Sequence, residues 1–142
     1  YKGGGSGLAS TIEDYFLFSQ MLLNGGELNG KRILSRKTVE LMTMNHLPDN
    51  KTLLDMNAGG GFSEVRYQGM GYGLSMAVTV DQAATQISGT AGSYNCGGMA
   101  STFFWIDPKE NFLCIFMTQL RPSTTFPFRG QMQAMVYGAF ED

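Results

Sequence analysis

The chain has 142 residues, of which 43% are hydrophobic, 15% charged and 12% aromatic, with a formal net charge of −2. That balance is too apolar for a disordered chain, and the length suits one domain that buries a core without a metal or disulfide staple. There is no basic excess to meet a phosphate backbone, the single histidine excludes a multi-imidazole site, and no apolar run is long enough to cross a membrane.

In chain order, Tyr1-Lys2-Gly3-Gly4-Gly5 carries neither Met nor the apolar region of a signal peptide. It reads as a cut inside a longer polypeptide. Gly3 to Gly7 form a glycine-rich lead-in. Ser10-Thr11-Ile12-Glu13 reads as a capping box, with Ser10 as N-cap and Glu13 reaching back. Ile12, Tyr15, Phe16, Leu22 and Leu23 follow at helical spacing, and Asn24-Gly25-Gly26 ends that helix. Asn29-Gly30 marks a tight turn before Ile33-Leu34. Ser35 caps a second helix whose face carries Val39, Met42 and His46, with Pro48 as its stop. His46 therefore reads as a helix C-terminal cap rather than a catalytic group.

Asp49 to Gly61 is a polar, glycine-rich loop. Gly71 to Val80 alternates and reads as one strand, and Gln86 to Thr90 as another. Met99 to Ile106 is a strong strand, followed by the turn Asp107-Pro108-Lys109-Glu110-Asn111. Phe112 to Thr118 is almost wholly apolar, the pattern of a central strand buried on both faces. After a loop at Pro122 and Pro127, Met132, Met135, Val136 and Phe140 form the apolar face of a final helix. Helices, antiparallel strands and a closing helix make an α+β pattern, without repeats or a second domain. Cys96 and Cys114 read as small apolar residues in strands rather than a disulfide.

Most catalytic motifs are broken. Gly30-Lys31-Arg32 lacks the Ser or Thr of a phosphate loop, and Gly69, Gly71 and Gly73 miss the dinucleotide spacing. Gly73-Leu74-Ser75-Met76-Ala77 lacks the closing glycine of a nucleophile elbow. Cys, His and carboxylate ligands do not cluster for zinc, so neither metal nor cofactor is expected. The methionines read as core filler.

One segment resembles a known family. Ser93-Tyr94-Asn95-Cys96-Gly97-Gly98-Met99-Ala100-Ser101-Thr102-Phe103-Phe104-Trp105-Ile106-Asp107-Pro108-Lys109 is similar to the C-terminal signature of serine β-lactamase-like hydrolases. These include class C β-lactamases, esterases and D-alanyl-D-alanine peptidases. Phe116-Met117-Thr118-Gln119 continues the likeness. Upstream, Gly5 to Thr11, Gln20 to Leu28, Ile33-Leu34-Ser35 and Thr38 to Met42 match in order. The likeness runs from about Gly3 to Phe140. It implies that residues 1–142 are the C-terminal part of a single β-lactamase/transpeptidase-like domain, with antiparallel strands and flanking helices.

The resemblance also assigns parts. The family takes a Ser and a Lys from an S-x-x-K helix and a Tyr from a Y-x-N or Y-x-S loop. Neither motif occurs in this sequence; Ser35-Arg36-Lys37-Thr38 places its Lys one position early. A third triplet lines the cleft on a strand, and the amide after it completes the oxyanion hole. Here the triplet is Cys96-Gly97-Gly98 and the donor is the Met99 amide. Cys96 stands where family members carry Lys, His or Trp, which favours an esterase-like hydrolase over a carboxylate-reading β-lactamase or peptidase. The chain alone should not turn over ester or amide substrates.

The family sheet has five antiparallel strands, of which three belong to the C-terminal part, the last lying beside the absent first strand. Strand 112–118 should then leave an open edge. The implied partners are a small-molecule ester or amide, the N-terminal part of the same fold, and a second copy pairing through that edge. The alternative is a non-catalytic binding or structural module that self-associates through it.

Overall fold

A computed structural model describes residues 8–56 and 68–140. The glycine-rich lead-in and the end of the Asp49–Gly61 loop lie outside the described residues. The first helix, α1 (Ile12–Leu23), is capped by Thr11 rather than Ser10. Thr11 Oγ1 accepts from the Asp14 amide at 3.1 Å and donates to Asp14 Oδ2 at 3.1 Å. The capping pair is thus one residue later than expected, because Ser10 Oγ turns to the Thr11 carbonyl instead. The helix closes as read: Gly26 N–H reaches Met21 O at 2.8 Å and Gly25 N–H reaches Leu22 O at 3.0 Å, the paired bonds of a Schellman ending. Gly25 sits at φ 67°, a left-handed position where glycine costs least.

Strands β1 (Glu27–Leu28) and β2 (Lys31–Arg32) pair antiparallel across Asn29-Gly30, both at positive φ, as the tight-turn reading requires. Helix α2 (Arg36–Met42) is capped by Ser35 Oγ accepting from Thr38 N–H at 3.0 Å. It ends at Met42, before Pro48, so His46 lies beyond it. The His46 ring bonds back to Leu41 O at 2.7 Å, the capping role assigned to it.

The main sheet has five strands in the order β3 (Met70–Tyr72), β4 (Ala77–Thr79), β5 (Tyr94–Gly97), β6 (Phe103–Asp107) and β7 (Phe112–Phe116), all antiparallel. Five sequence expectations are corrected here. Gly71 to Val80 is a hairpin rather than one strand: Gly73 N–H bonds Met76 O at 2.8 Å and Ser75 takes φ 73°, which reverses the chain. Gln86 to Thr90 forms no strand. The short helix α3 (Gln82–Thr85), capped by Asp81, occupies the connection and ends at Gln86 in the left-handed region. Residues 99–102 are a turn, and only Phe103 onward is strand. Finally, β7 is half-buried at the end of the sheet rather than central, and the described residues supply five strands where the resemblance implied three.

Strand alternation sorts side chains to two faces. Tyr94, Phe104 and Ile106 point to the face covered by α1 and α2, packing with Met21, Leu22 and Val39. Phe103, Trp105 and Asp107 point to the opposite face, which the last helix α4 (Phe128–Tyr137) covers. Trp105 and Asp107 are fully buried there, and Tyr137 Oη donates to Asp107 Oδ2 at 2.7 Å. The buried member of α4 is Arg129, whereas Met135 is 75% exposed, against the expected apolar face. Neither cysteine is in a disulfide, and both are half-buried. Register places Cys96 opposite Phe104 and Cys114 opposite Trp105, so they face opposite sides of the sheet and cannot pair.

Candidate functional site

The triplet lies where β5 ends. Cys96 and Gly97 close the strand, pairing with Phe104 and Phe103, and Gly98 begins the turn to β6. That turn is held from several directions. Gly98 N–H bonds Thr102 O at 2.8 Å, and Ser101 N–H returns to Gly98 O at 3.1 Å. Ser101 is buried at φ 70°, and its hydroxyl donates to Leu120 O at 2.7 Å, while Leu120 N–H bonds Ala100 O at 3.0 Å. A Cβ on Gly98 would meet Thr102 Oγ1 at 2.2 Å, so a larger residue there would require the Thr102 hydroxyl to turn away.

Beside this wall is an open cleft of about 580 Å³. Cys96, Gly97, Gly98, Thr102, Phe103 and Phe104 form one side of it. Ile115, Met117 and Gln119 come from the end of β7 and beyond. Leu8, Ala9, Ser10 and Tyr15 close it from the start of α1. The opening lies largely on the α1 face of the sheet, since Cys96, Phe104 and Ile115 point that way. Tyr15 stacks edge-on against Phe104 with ring centroids 5.1 Å apart. Burial, and then the nearby Cys96, pushes the Tyr15 phenol above its ordinary pKa. Cys96 Sγ lies 3.8 Å from Gly97 O.

Cys96, Gly97 and Gly98 all line the cleft. Met99 stands slightly apart: its side chain is 68% exposed on the turn, and its amide follows directly on the Gly98 carbonyl. Ser35 and Lys37 serve structure instead, Ser35 as a cap and Lys37 paired with Glu40 at 2.6 Å. Ser75 lies in the β3–β4 hairpin with no helix behind it, so it is not a nucleophile elbow. Among the described residues no group of three His, Cys, Asp or Glu side chains could hold a metal, and no helix is long and apolar enough to cross a membrane.

Two residues at this site escaped the sequence reading. Tyr15 was visible only as a helix position. Arg129 sits buried in the first turn of α4, and its Nη2 donates to Gly98 O at 3.2 Å. Its guanidinium lies over the Phe103 ring at 5.2 Å. The signal for it was a lone cation eight residues before Tyr137, which places both on neighbouring parts of one helix face.

The fold is a mixed helix and antiparallel-strand structure like the C-terminal part of β-lactamase-like hydrolases. EstCE1, a hydrolase with promiscuous acyltransferase activity, superposes with a TM-score of 0.66 at 22% identity, covering 88% of this chain and 29% of that one. Simvastatin synthase (LovD) from Aspergillus terreus superposes with a TM-score of 0.61 at 20% identity, covering 86% of this chain and 32% of that one. In sequence, the chain is 31% identical over 125 residues to Protein Rv1367c of Mycobacterium tuberculosis strain H37Rv, and equally to Uncharacterized protein MT1414 of strain CDC 1551. Each match covers 86% of this chain and 30% of the relative, so the chain spans about three tenths of the curated relatives it matches. No family model matches the chain.

Proposed function

We propose that residues 1–142 form the C-terminal part of a single serine hydrolase domain that transfers acyl groups from small esters or amides through an acyl-enzyme. In this reading β5 is a wall of the substrate cleft. Cys96, Gly97 and Gly98 contact substrate, and the Met99 amide is one of two donors to the developing oxyanion. The N-terminal part of the same fold supplies the activated serine, its lysine and the tyrosine. No metal or cofactor takes part. The observation that carries the proposal is the placement of Cys96-Gly97-Gly98 on an open cleft, in a fold shared with a hydrolase of acyltransferase activity. The uncharged Cys96 on the wall favours ester-like substrates over those bearing a carboxylate to be read.

The test is turnover of a p-nitrophenyl ester by the chain alone and with a separately supplied N-terminal part. Inactivity alone and activity on mixing support the reading. Stoichiometric labelling of this chain at one of its own serines by an acylating probe would overturn it.

A second reading keeps the half-fold as a binding module. It is favoured by the end position of β7 together with the exposed Ile12, Phe16 and Leu17 on α1. Association that survives loss of the cleft, with no activity in any mixture, would select it.

A further inference from the structure

We propose that Arg129 is a positioning residue for the oxyanion peptide: from behind the sheet it holds the Gly98–Met99 peptide so that the Met99 N–H faces the cleft. The inference rests on the reading of Met99 as an oxyanion donor and adds what orients it.

The argument is one of faces. The cleft opens largely on the α1 side of β5 and β6, with Cys96 and Phe104 pointing into it, and reaches Phe103 at the strand end. Arg129 belongs to α4, which covers the opposite side. Its guanidinium lies over Phe103, a residue of the α4 face, and donates to Gly98 O at 3.2 Å. Ser101 N–H donates to the same oxygen at 3.1 Å. In a trans peptide the C=O and the following N–H point in opposite directions. A Gly98 carbonyl drawn toward α4 therefore turns the Met99 N–H toward α1 and the cleft. If that peptide flipped, the carbonyl would face the cleft, and its negative end would repel an oxyanion.

The position asks for this hold. The Gly98–Met99 peptide turns on Gly98 ψ and Met99 φ; Gly98 has no Cβ to restrict its side of that rotation, and Arg129 adds to the Ser101 N–H in holding the carbonyl. Arg129 meets the requirement in two ways. It is buried, so its bond to Gly98 O is not exchanged for water. It is also charged, and a charge-assisted bond is roughly twice as strong as a neutral one. The Phe103 ring packs against the Arg129 guanidinium, and the Tyr137–Asp107 bond anchors the far end of α4.

The experiment uses the full 142-residue chain, in whatever assembly it takes in solution, labelled with nitrogen-15. Arg129→Met removes the donor and keeps an apolar stem over Phe103. Arg129→Lys keeps one donor and a cation. In Arg129→Met the Met99 amide resonance should move and broaden, while the amides of Trp105 to Asp107 stay in place. Arg129→Lys should restore part of the wild-type signal. A Met99 amide unchanged in Arg129→Met overturns the proposal, as does a disturbance spread evenly along β6. If Arg129→Met does not fold, Arg129→Lys decides alone: a Met99 signal between broadened and native supports positioning, and a native one overturns it.

A second readout separates this claim from the one beneath it. With the N-terminal part supplied, Arg129→Met should lower kcat by about tenfold to a hundredfold with KM little changed, less than the roughly hundredfold to thousandfold cost of removing an oxyanion donor outright. A disturbed Met99 amide with unchanged kcat would leave the positioning intact and overturn Met99 as a donor.

Discussion

Strands β3 and β7 end the same sheet, yet the chain treats them differently. The outer side of β3 is covered by the segment that follows α2. His46 N–H bonds Tyr72 O at 2.8 Å, Leu53 N–H bonds Met70 O at 2.7 Å, and just beyond the strand Leu74 N–H bonds Met42 O at 2.9 Å. Asn45 Oδ1 accepts from Tyr72 N–H at 3.0 Å and from Leu47 N–H at 3.2 Å. Strand β7 pairs with β6 on its inner side and has no further strand beyond it among the described residues. Its five residues, Phe112 to Phe116, are all apolar and only half-buried. An edge whose backbone groups are already bonded is inert, whereas an apolar edge without a partner strand is a template for another one. The difference teaches which side of this sheet is finished and which expects company.

That contrast can be broken at its closed side first. A Cβ at Gly73 would meet Met42 O at 2.2 Å and Met44 O at 3.0 Å, both backbone atoms of the covering segment. Gly73→Ala should cost about 2–3 kcal/mol or more in urea unfolding, as overpacking against backbone does. An unchanged midpoint would mean that the cover is not held against β3 in solution.

The helix behind the open side comes next. Tyr137→Phe leaves Asp107 Oδ2, on a fully buried residue, without the phenol that meets it, and should lower stability by about 1.5–3 kcal/mol. Its pH signature has a definite sign. Burial first, and then the bond to Asp107, raise the Tyr137 pKa well above its ordinary value. Folding therefore favours the neutral phenol. This contribution is complete below the unfolded phenol's value of about 10, and it is lost as pH climbs from there toward the folded value. Stability should fall in alkali, and Tyr137→Phe should flatten part of that fall. Tyr94 and Tyr15, also raised by burial, keep the remainder. A variant with the wild-type alkaline slope would place the effect elsewhere.

Asn45→Ala should be milder, about 1 kcal/mol, because its bonds lie near the surface where water can replace them. The smallest change in stability belongs to the open side. Met117→Lys places a charge at the exposed end of β7, and the urea midpoint should move by no more than about 0.5 kcal/mol. Association should nevertheless weaken, as read by size-exclusion chromatography with light scattering. A wild-type chain that runs as a clean monomer at every concentration would remove the contrast altogether.

Local features were legible where a few neighbouring residues settle the conformation. Asn24-Gly25-Gly26, Asn29-Gly30 and Ser35 were placed correctly, since caps and tight turns depend on torsions and bonds within a few residues. The hairpin at Gly73 to Met76 was missed because its residues keep alternating apolarity through the reversal, and only Ser75 at φ 73° betrays it. The wall Cys96-Gly97-Gly98 was legible through an ordered likeness along the chain. Arg129 was not, because a buried arginine looks like a surface residue until its acceptor, 31 residues away, is in place.

By itself the sequence determined the first two helices, the turns at Asn24 to Gly26 and at Asn29-Gly30, and the α+β class, which follow from short-range periodicity and torsional preference; the place of Cys96-Gly97-Gly98 came from the resemblance alone. Which strand lies at the edge, which face each cysteine takes and which peptide oxygen Arg129 meets were decided only by the tertiary structure. Those choices depend on pairing order and on helices packed across the sheet. An apolar run such as Phe112 to Phe116 reads the same whether a neighbouring strand lies beside it or not.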